Sequence, residues 1–335
     1  MDATLRARIA FAAARLDAGG LVAFPTETVY GLGADASDAA SVARIFDAKG
    51  RPSEHPLIVH VPVGIDPLQW ATGVPPLAQK LVDAFWPGPL TLILRRRPGV
   101  GETAAGGQDS IGLRCPSHPV AQALLMEYAL IRTERDRHSP IGIAAPSANR
   151  FGHVSPTSAS HVIDEFGDRA AIVADATIVV VDGGECPVGI ESTIVDCSRL
   201  AAVGPVLLRP GSVTAEMIAE VVGAMPNLPD DAAPRASGTL LSHYAPRTPL
   251  RLVDADALDA APDDVVIWTH SATTGGQRHE APRDAATYAH RFYASLRALD
   301  AIGAREIWIE RPPTGAEWAG INDRLMRAAA VRSVD

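Results

Sequence analysis

The sequence predicts an α/β protein: a twisted mixed sheet flanked by helices, followed by a small three-layer, Rossmann-like α/β domain. Three observations predict it. The chain has 335 residues, beyond the usual range of one domain. Short apolar runs and helix-period segments mix irregularly up to about residue 222, then alternate regularly after residue 250. Between them MPNLPDDAAPRASG, starting at Met225, is rich in Pro, Asp, Ala and Gly, which suits a linker and not a core. The expected division is 1–223, a linker at 224–246, and 247–335.

The elements follow in order. Leu5, Ile9, Ala12 and Leu16 recur at helical spacing, and Gly19-Gly20 ends that helix. Leu21 to Phe24 reads as a strand. Ser37 is placed to cap a helix carrying Val42, Ile45 and Phe46, which Gly50 stops. Further strands are expected at 57–61, 90–94, 110–114, 141–144, 178–181, 191–195 and 206–209, with helices at 77–85, 120–128, 157–166 and 214–222. Beyond the linker, strands at 250–253, 265–268 and 306–309 surround a helix marked by Tyr288, Phe292, Leu296 and Leu299. A last helix ends near Ala330.

Composition narrows the function. A net charge of -9 argues against a broad basic face for nucleic acid, though not against a local basic pocket. No apolar run approaches the roughly 20 residues that span a bilayer, and Arg15 and Asp17 interrupt the first helix, so it lacks a signal-peptide core. Cys115, Cys186 and Cys197 form no C-x-x-C pair and read as free and structural. The chain reads as cytoplasmic.

Two polar stretches carry the chemistry. APSANRFGHVSP, Ala145 to Pro156, follows the apolar run Ile141 to Ala144, and Ser155-Pro156 is expected to open a helix with Val162, Ile163 and Phe166. Ser147, Asn149 and Ser155 can donate to phosphates there, beside a helix N-terminus. PTETVYGLG, Pro25 to Gly33, likewise follows an apolar run. Cations stand at element ends: Lys49 and Arg51 around a helix C-terminus, Arg114 and Arg209 at strand ends. That placement suits a phosphate or carboxylate, yet singly each cation reads more readily as a surface charge and His60 as a satisfied core or surface histidine, and Ser155 reads equally as a plain N-cap. Gly31 to Ala36 fits a loose G-x-G-x-x-A pattern but lies too far past its strand for a dinucleotide turn. The ten histidines show no metal-ligand spacing, so no protein-held metal is expected.

In order along the chain stand PTETVYGLG, KGRPSEHPLIVHV (Lys49 to Val61), WPGPLT (Trp86 to Thr91), APSAN, GIESTIVD (Gly189 to Asp196) and LRPG (Leu208 to Gly211). This series resembles the YrdC/Sua5 family, the threonylcarbamoyl-AMP synthases that begin t6A synthesis in tRNA. SHYAPRTPL, Ser242 to Leu250, resembles the linker of the longer, Sua5-type members. The resemblance implies an adenylyltransferase that makes threonylcarbamoyl-AMP and pyrophosphate from L-threonine, bicarbonate or CO₂, and ATP. It implies Lys49 and Arg51 as catalytic residues that bind ATP phosphates with Arg209, and His55, Ser110, Ser147, Asn149 and Ser155 as further nucleotide contacts. His243 and Tyr244 would close on ATP as part of a lid. Thr28, His60, Arg114, Ser192 and the backbone of Ala145 would hold threonine, Arg114 at its carboxylate. Mg²⁺ would be carried mainly by the phosphates. Expected partners are a downstream threonylcarbamoyl transferase complex and a weak tRNA contact, with no membrane.

Three features depart from the family pattern. IRTERDRHS, Ile131 to Ser139, reads as a charged loop insertion near the site; His55 stands where Asn is frequent; Ser237 stands where Pro is common. Two rival functions are a relative acting on carbamoyl phosphate and an RNA-binding module without chemistry. The larger companion segments of the first are absent from this sequence, and net acidity weighs against the second.

Overall fold

The computed structural model describes residues 1–172, 177–240 and 243–330. Its helices are α1 (Ala3–Asp17), α2 (Ala39–Lys49), α3 (Pro76–Phe85), α4 (Pro119–Arg135), α5 (Ala159–Phe166), α6 (Leu200–Val203), α7 (Ala215–Val222), α8 (Ala285–Ala301) and α9 (Ala319–Ala329). The strands of the first sheet are β1 (Leu21–Pro25), β2 (Tyr30–Asp35), β3 (Ile58–His60), β4 (Leu90–Arg95), β5 (Ser110–Arg114), β6 (Ile143–Ala144), β7 (Ala170–Ala171), β8 (Ile178–Val180), β9 (Thr193–Asp196) and β10 (Val206–Arg209). Among the described residues they order as β10-β9-β4-β5-β3-β6-β2-β1-β8-β7, with parallel and antiparallel pairs mixed. The central strands are buried on both faces: α2, α3, α5 and α7 contribute to one apolar cluster, and α1 and α4 to another. No described helix is long and apolar enough to cross a membrane.

The second sheet is parallel, in the order β11 (Leu250–Val253), β14 (Glu306–Glu310), β12 (Val265–Thr269), β13 (Gln277–Glu280). Alternation divides its residues as the pleat requires. Val266, Trp268, Ile307 and Ile309 face a cluster with α8 and α9, whereas Val265, Ile267 and Trp308 face Leu258 of a 3₁₀ turn. The first cluster also contains Val29, Val154, Ile190 and Tyr244, so the second sheet's helices share a core with the first sheet's loops. Gly189 lies against the backbone of Ala289 and His290, where a Cβ would come within 2.3 Å of the Ala289 carbonyl oxygen.

Three local expectations are corrected. Asp38, not Ser37, caps α2 by accepting the Ser41 N–H, because Ser37 is engaged with Asp35. Ser158, not Ser155, caps α5, and Ser155 instead donates to Glu191. Residues 131–135 continue α4, and Arg132 is buried against Asp35 and Asp17, with Ser37 accepting from it, away from the polar cleft. The first half of that segment is therefore helix, and only residues 136–139 form a turn after it. The strand β2 inside PTETVYGLG is an addition, paired antiparallel with β1 through Phe24 opposite Gly31.

Glu165 joins the two halves and sets an acid limit on their contact. Its carboxylate accepts the Arg150 N–H at 3.0 Å, lies 2.7 Å from His153 Nδ1, and accepts Arg297 Nη2 of α8 at 3.2 Å. Burial works to raise its pKa, but these partners hold it at about 2. A carboxylate depressed from about 4.3 stabilises fully above that pH, by roughly 3 kcal/mol, and loses the contribution as pH falls through its folded value. The stability difference between the parent and Glu165→Gln should therefore shrink as the pH is lowered from about 5 to about 2 in denaturant titrations. A pH-independent difference would contradict this.

Candidate active site

The first sheet delivers its cations to one cleft. Arg114 ends β5, Arg209 ends β10, and Arg51 follows Gly50, whose left-handed backbone (φ 62°) turns the chain off α2. All three line the cleft with Thr28, His60, Ala145, Ser147, Glu191 and Ser192, and Ser237, Gly238, His243 and Tyr244 close one side. Lys49 and Arg51 are only 4% and 7% exposed, so they are not the exposed cations their place at a helix end suggested.

Each cation is held in place. Lys49 Nζ donates to the carbonyls of Ser147 (2.6 Å) and Asn149, which fastens α2 to the APSAN turn. Burial, then the charge of Arg51, draws its pKa well below the usual lysine value. Arg51 donates to the Pro56 carbonyl at 3.0 Å, and burial lowers it to about 10. Arg209 Nε donates to the Ser192 carbonyl (3.0 Å), Nη2 to Ser192 Oγ (3.2 Å) and Nη1 to the Ser237 carbonyl (2.8 Å). Three buried arginine sites plus a lysine repel one another and favour an anion between them.

The other end of the cleft is smaller. Thr26 Oγ1 receives the N–H groups of Thr28 and Val29, and lies 2.8 Å from Thr28 Oγ1. Ser192 Oγ lies 2.8 Å from Thr91 Oγ1. His60 is kept neutral, its pKa taken down to about 3 by burial and then by Arg114. Arg114 Nη2 stands 2.7 Å from Glu27 Oε1, and Glu27 Oε2 accepts the Ser117 N–H at 3.1 Å. Among the described residues no hydrogen-bond partner meets His60 Nδ1, His243 Nδ1 or Asn149 Oδ1, which are buried polar atoms of the kind a ligand satisfies.

The remaining expected residues are placed less centrally. Ser110 lines a crevice beside the cleft with Pro56, Ile58, Ala236 and Ser237. His55 is half-buried with its ring edge-on to Phe151 at 5.4 Å. The Asn149 amide donates to the Arg150 and His153 carbonyls and shapes its own loop. Ser155 donates to Glu191 at 2.6 Å. His243 packs on Phe151 and on Tyr244, and Tyr244 on Tyr293. Tyr244 has φ 63°, a strained backbone for a bulky residue of the sort retained at functional sites. Ser242 lies outside the described residues. Sequence reasoning missed Glu27, Phe151 and Glu191; Glu27 lies inside PTETVYGLG, Glu191 inside GIESTIVD and Phe151 in the polar stretch after APSAN, and the carboxylates' signal was an acid in a polar motif of a chain with so many cations at element ends.

Comparison with known proteins agrees across the whole chain. A family model described as "Telomere recombination" matches residues 14–211, and one described as "Threonylcarbamoyl-AMP synthase, C-terminal domain" matches residues 213–330. The threonylcarbamoyl-AMP synthase of Bacillus subtilis is 37% identical over 353 residues, covering 98% of this chain and 94% of that protein. That of Pyrococcus abyssi is 41% identical over 254 residues, covering 74% and 68%. The crystal structure of P. abyssi Sua5 complexed with L-threonine superposes with a TM-score of 0.84 at 33% identity, covering 97% of this chain and 94% of that one.

Proposed function

The chain belongs to the YrdC/Sua5 family in its two-domain form, and from that premise we propose that it makes threonylcarbamoyl-AMP and pyrophosphate from L-threonine, bicarbonate or CO₂, and ATP, for t6A modification of tRNA. The observation that carries the proposal is the cleft, where Arg51, Arg114 and Arg209 meet the hydroxyls of Thr28 and Ser192 in a chain that superposes on a threonine-bound relative. The threonine amine captures CO₂ and loses a proton to give a carbamate. A carbamate oxygen then attacks the α-phosphorus, and the bond to pyrophosphate breaks. No protein nucleophile is required; position, charge and dryness are.

In this reading Arg114 binds the threonine carboxylate, with Thr28, His60, Ser192 and the Ala145 backbone around the amino acid. Lys49, Arg51 and Arg209 take the phosphates, and Ser147, Asn149, His55, Ser110 and Ser155 shape the nucleotide site around them. Mg²⁺ comes mainly on the phosphates, since both oxygens of Glu191, the one carboxylate lining the cleft among the described residues, are already engaged. Residues 1–223 form the catalytic unit, 224–246 the lid and 247–335 the second domain. The enzyme works in the cytoplasm and passes its product to a threonylcarbamoyl transferase complex, with weak tRNA contact. Pyrophosphate release should require both threonine and bicarbonate; release that persists without threonine sinks the reading.

The lid makes its own prediction. His243 and Tyr244 are 5% and 1% exposed, and Gly238 lies directly against the Tyr244 hydroxyl. Nucleotide and threonine together should slow protease cleavage between residues 223 and 246, and Tyr244→Ala should release more hydrolysed intermediate. Equal cleavage with and without substrates, together with normal product yield from Tyr244→Ala, would reduce the segment to a tether.

A further inference from the structure

Glu191 presents a difficulty for a cleft that receives a triphosphate: it is a carboxylate, 7% exposed, on the lining itself. Left ionised and bare, it would repel the ligand that the neighbouring cations attract. Its oxygens are instead covered by three donors. Ser155 Oγ meets Oε1 at 2.6 Å, while Tyr293 of α8 (2.7 Å) and Arg324 Nε of α9 (3.2 Å) meet Oε2. Two of the three come from the second domain.

Arg324 does more than pair with that carboxylate. Fully buried, it sends Nη2 to the Glu191 main-chain carbonyl at 3.2 Å and Nη1 to the Pro210 carbonyl. Those two carbonyls belong to the residues immediately beside Ser192 and Arg209, which are themselves joined by the Arg209 guanidinium. One guanidinium thus fastens both strand ends that position a proposed phosphate cation. Its planar fork suits this task, and a lysine could not reproduce it. The same group lies 5.8 Å from the ring of Tyr244, so the lid rests on it as well.

We propose that Arg324 and Tyr293 are positioning residues of the ATP site, through which the second domain neutralises Glu191 and fixes Arg209. The proposal rests on the function proposed above but is tested by nucleotide binding, which does not depend on the identity of the product. A bland interdomain strut would alter stability and leave the balance between the substrates unchanged.

The test uses the full chain, with a non-hydrolysable ATP analogue in calorimetry and pyrophosphate release for kinetics. Arg324→Met should weaken the analogue and raise the KM for ATP by at least about tenfold, because a buried carboxylate then faces the phosphates. Threonine affinity should fall by clearly less than nucleotide affinity, because Ser192 adjoins the Glu191 carbonyl but the bare carboxylate faces the phosphates. Adding Glu191→Gln to Arg324→Met should restore the part of the nucleotide affinity lost to the bare carboxylate, and Arg324→Lys should also rescue only partly. Should Arg324→Met not fold, Tyr293→Phe removes a single hydroxyl and should still raise the KM for ATP by about threefold. Equal losses for ATP and threonine, no rescue by Glu191→Gln, or a Tyr293→Phe enzyme with the parent's KM for ATP would each overturn the proposal. Absence of threonine-dependent turnover in the unaltered chain would overturn the functional reading instead.

Discussion

Arg114→Ala should cost threonine about 2–4 kcal/mol of binding free energy, roughly a 30- to 900-fold loss of affinity. The side chain ends β5 with its guanidinium buried, held by Glu27 at 2.7 Å. Alanine removes the partner of a substrate carboxylate and also leaves Glu27 uncompensated, so the remaining charge opposes the ligand. Breaking a buried pair from one side commonly destabilises by about 3–5 kcal/mol, so this variant should also melt earlier. Glu27→Gln added to Arg114→Ala should recover stability and the part of the affinity lost to the bare Glu27 charge, but not the part that needs the Arg114 guanidinium, which separates folding from binding. Arg114→Lys should bind with intermediate strength. Calorimetry on the folded proteins decides; unchanged threonine affinity in Arg114→Ala would remove Arg114 from the site.

Lys49→Met should lower turnover about 100- to 1000-fold, the range seen when one preorganised charge-stabilising donor is lost. Methionine is chosen because Lys49 is buried, and a long apolar side chain fills the space that alanine would leave open. Burying an ammonium on two carbonyls is itself costly, so stability should change little even though the APSAN turn loses its tie. Arg51→Ala should chiefly raise the apparent ATP requirement. A steep fall in melting temperature with ordinary kinetics in the surviving protein would make Lys49 a structural residue.

Much of this site was legible because its cations mark element ends, and element ends have local signatures. Gly50 announces the turn between Lys49 and Arg51, and β5 and β10 span the same residues that their apolar runs predict. What was not legible depends on distant partners. Ser155 looks like an N-cap until Glu191, 36 residues away, takes its hydroxyl. The charged run after Ile131 looks like a loop until Asp35 and Asp17 pair with Arg132 and carry α4 to Arg135. PTETVYGLG looks like a polar turn, yet antiparallel pairing with β1 makes its second half a strand. Glu27 and Glu191 were passed over for the same reason: a buried carboxylate is explained only by its donors, Arg114 for one and Arg324, 133 residues on, for the other.

The most direct measurement of the central claim follows the carbon. With ATP, L-threonine and ¹³C-labelled bicarbonate, the chain should yield an adenylate bearing both threonine and one labelled carbon, detected by mass spectrometry before hydrolysis and in step with pyrophosphate. An adenylate that forms equally well without threonine, or that carries no label from bicarbonate, would contradict it.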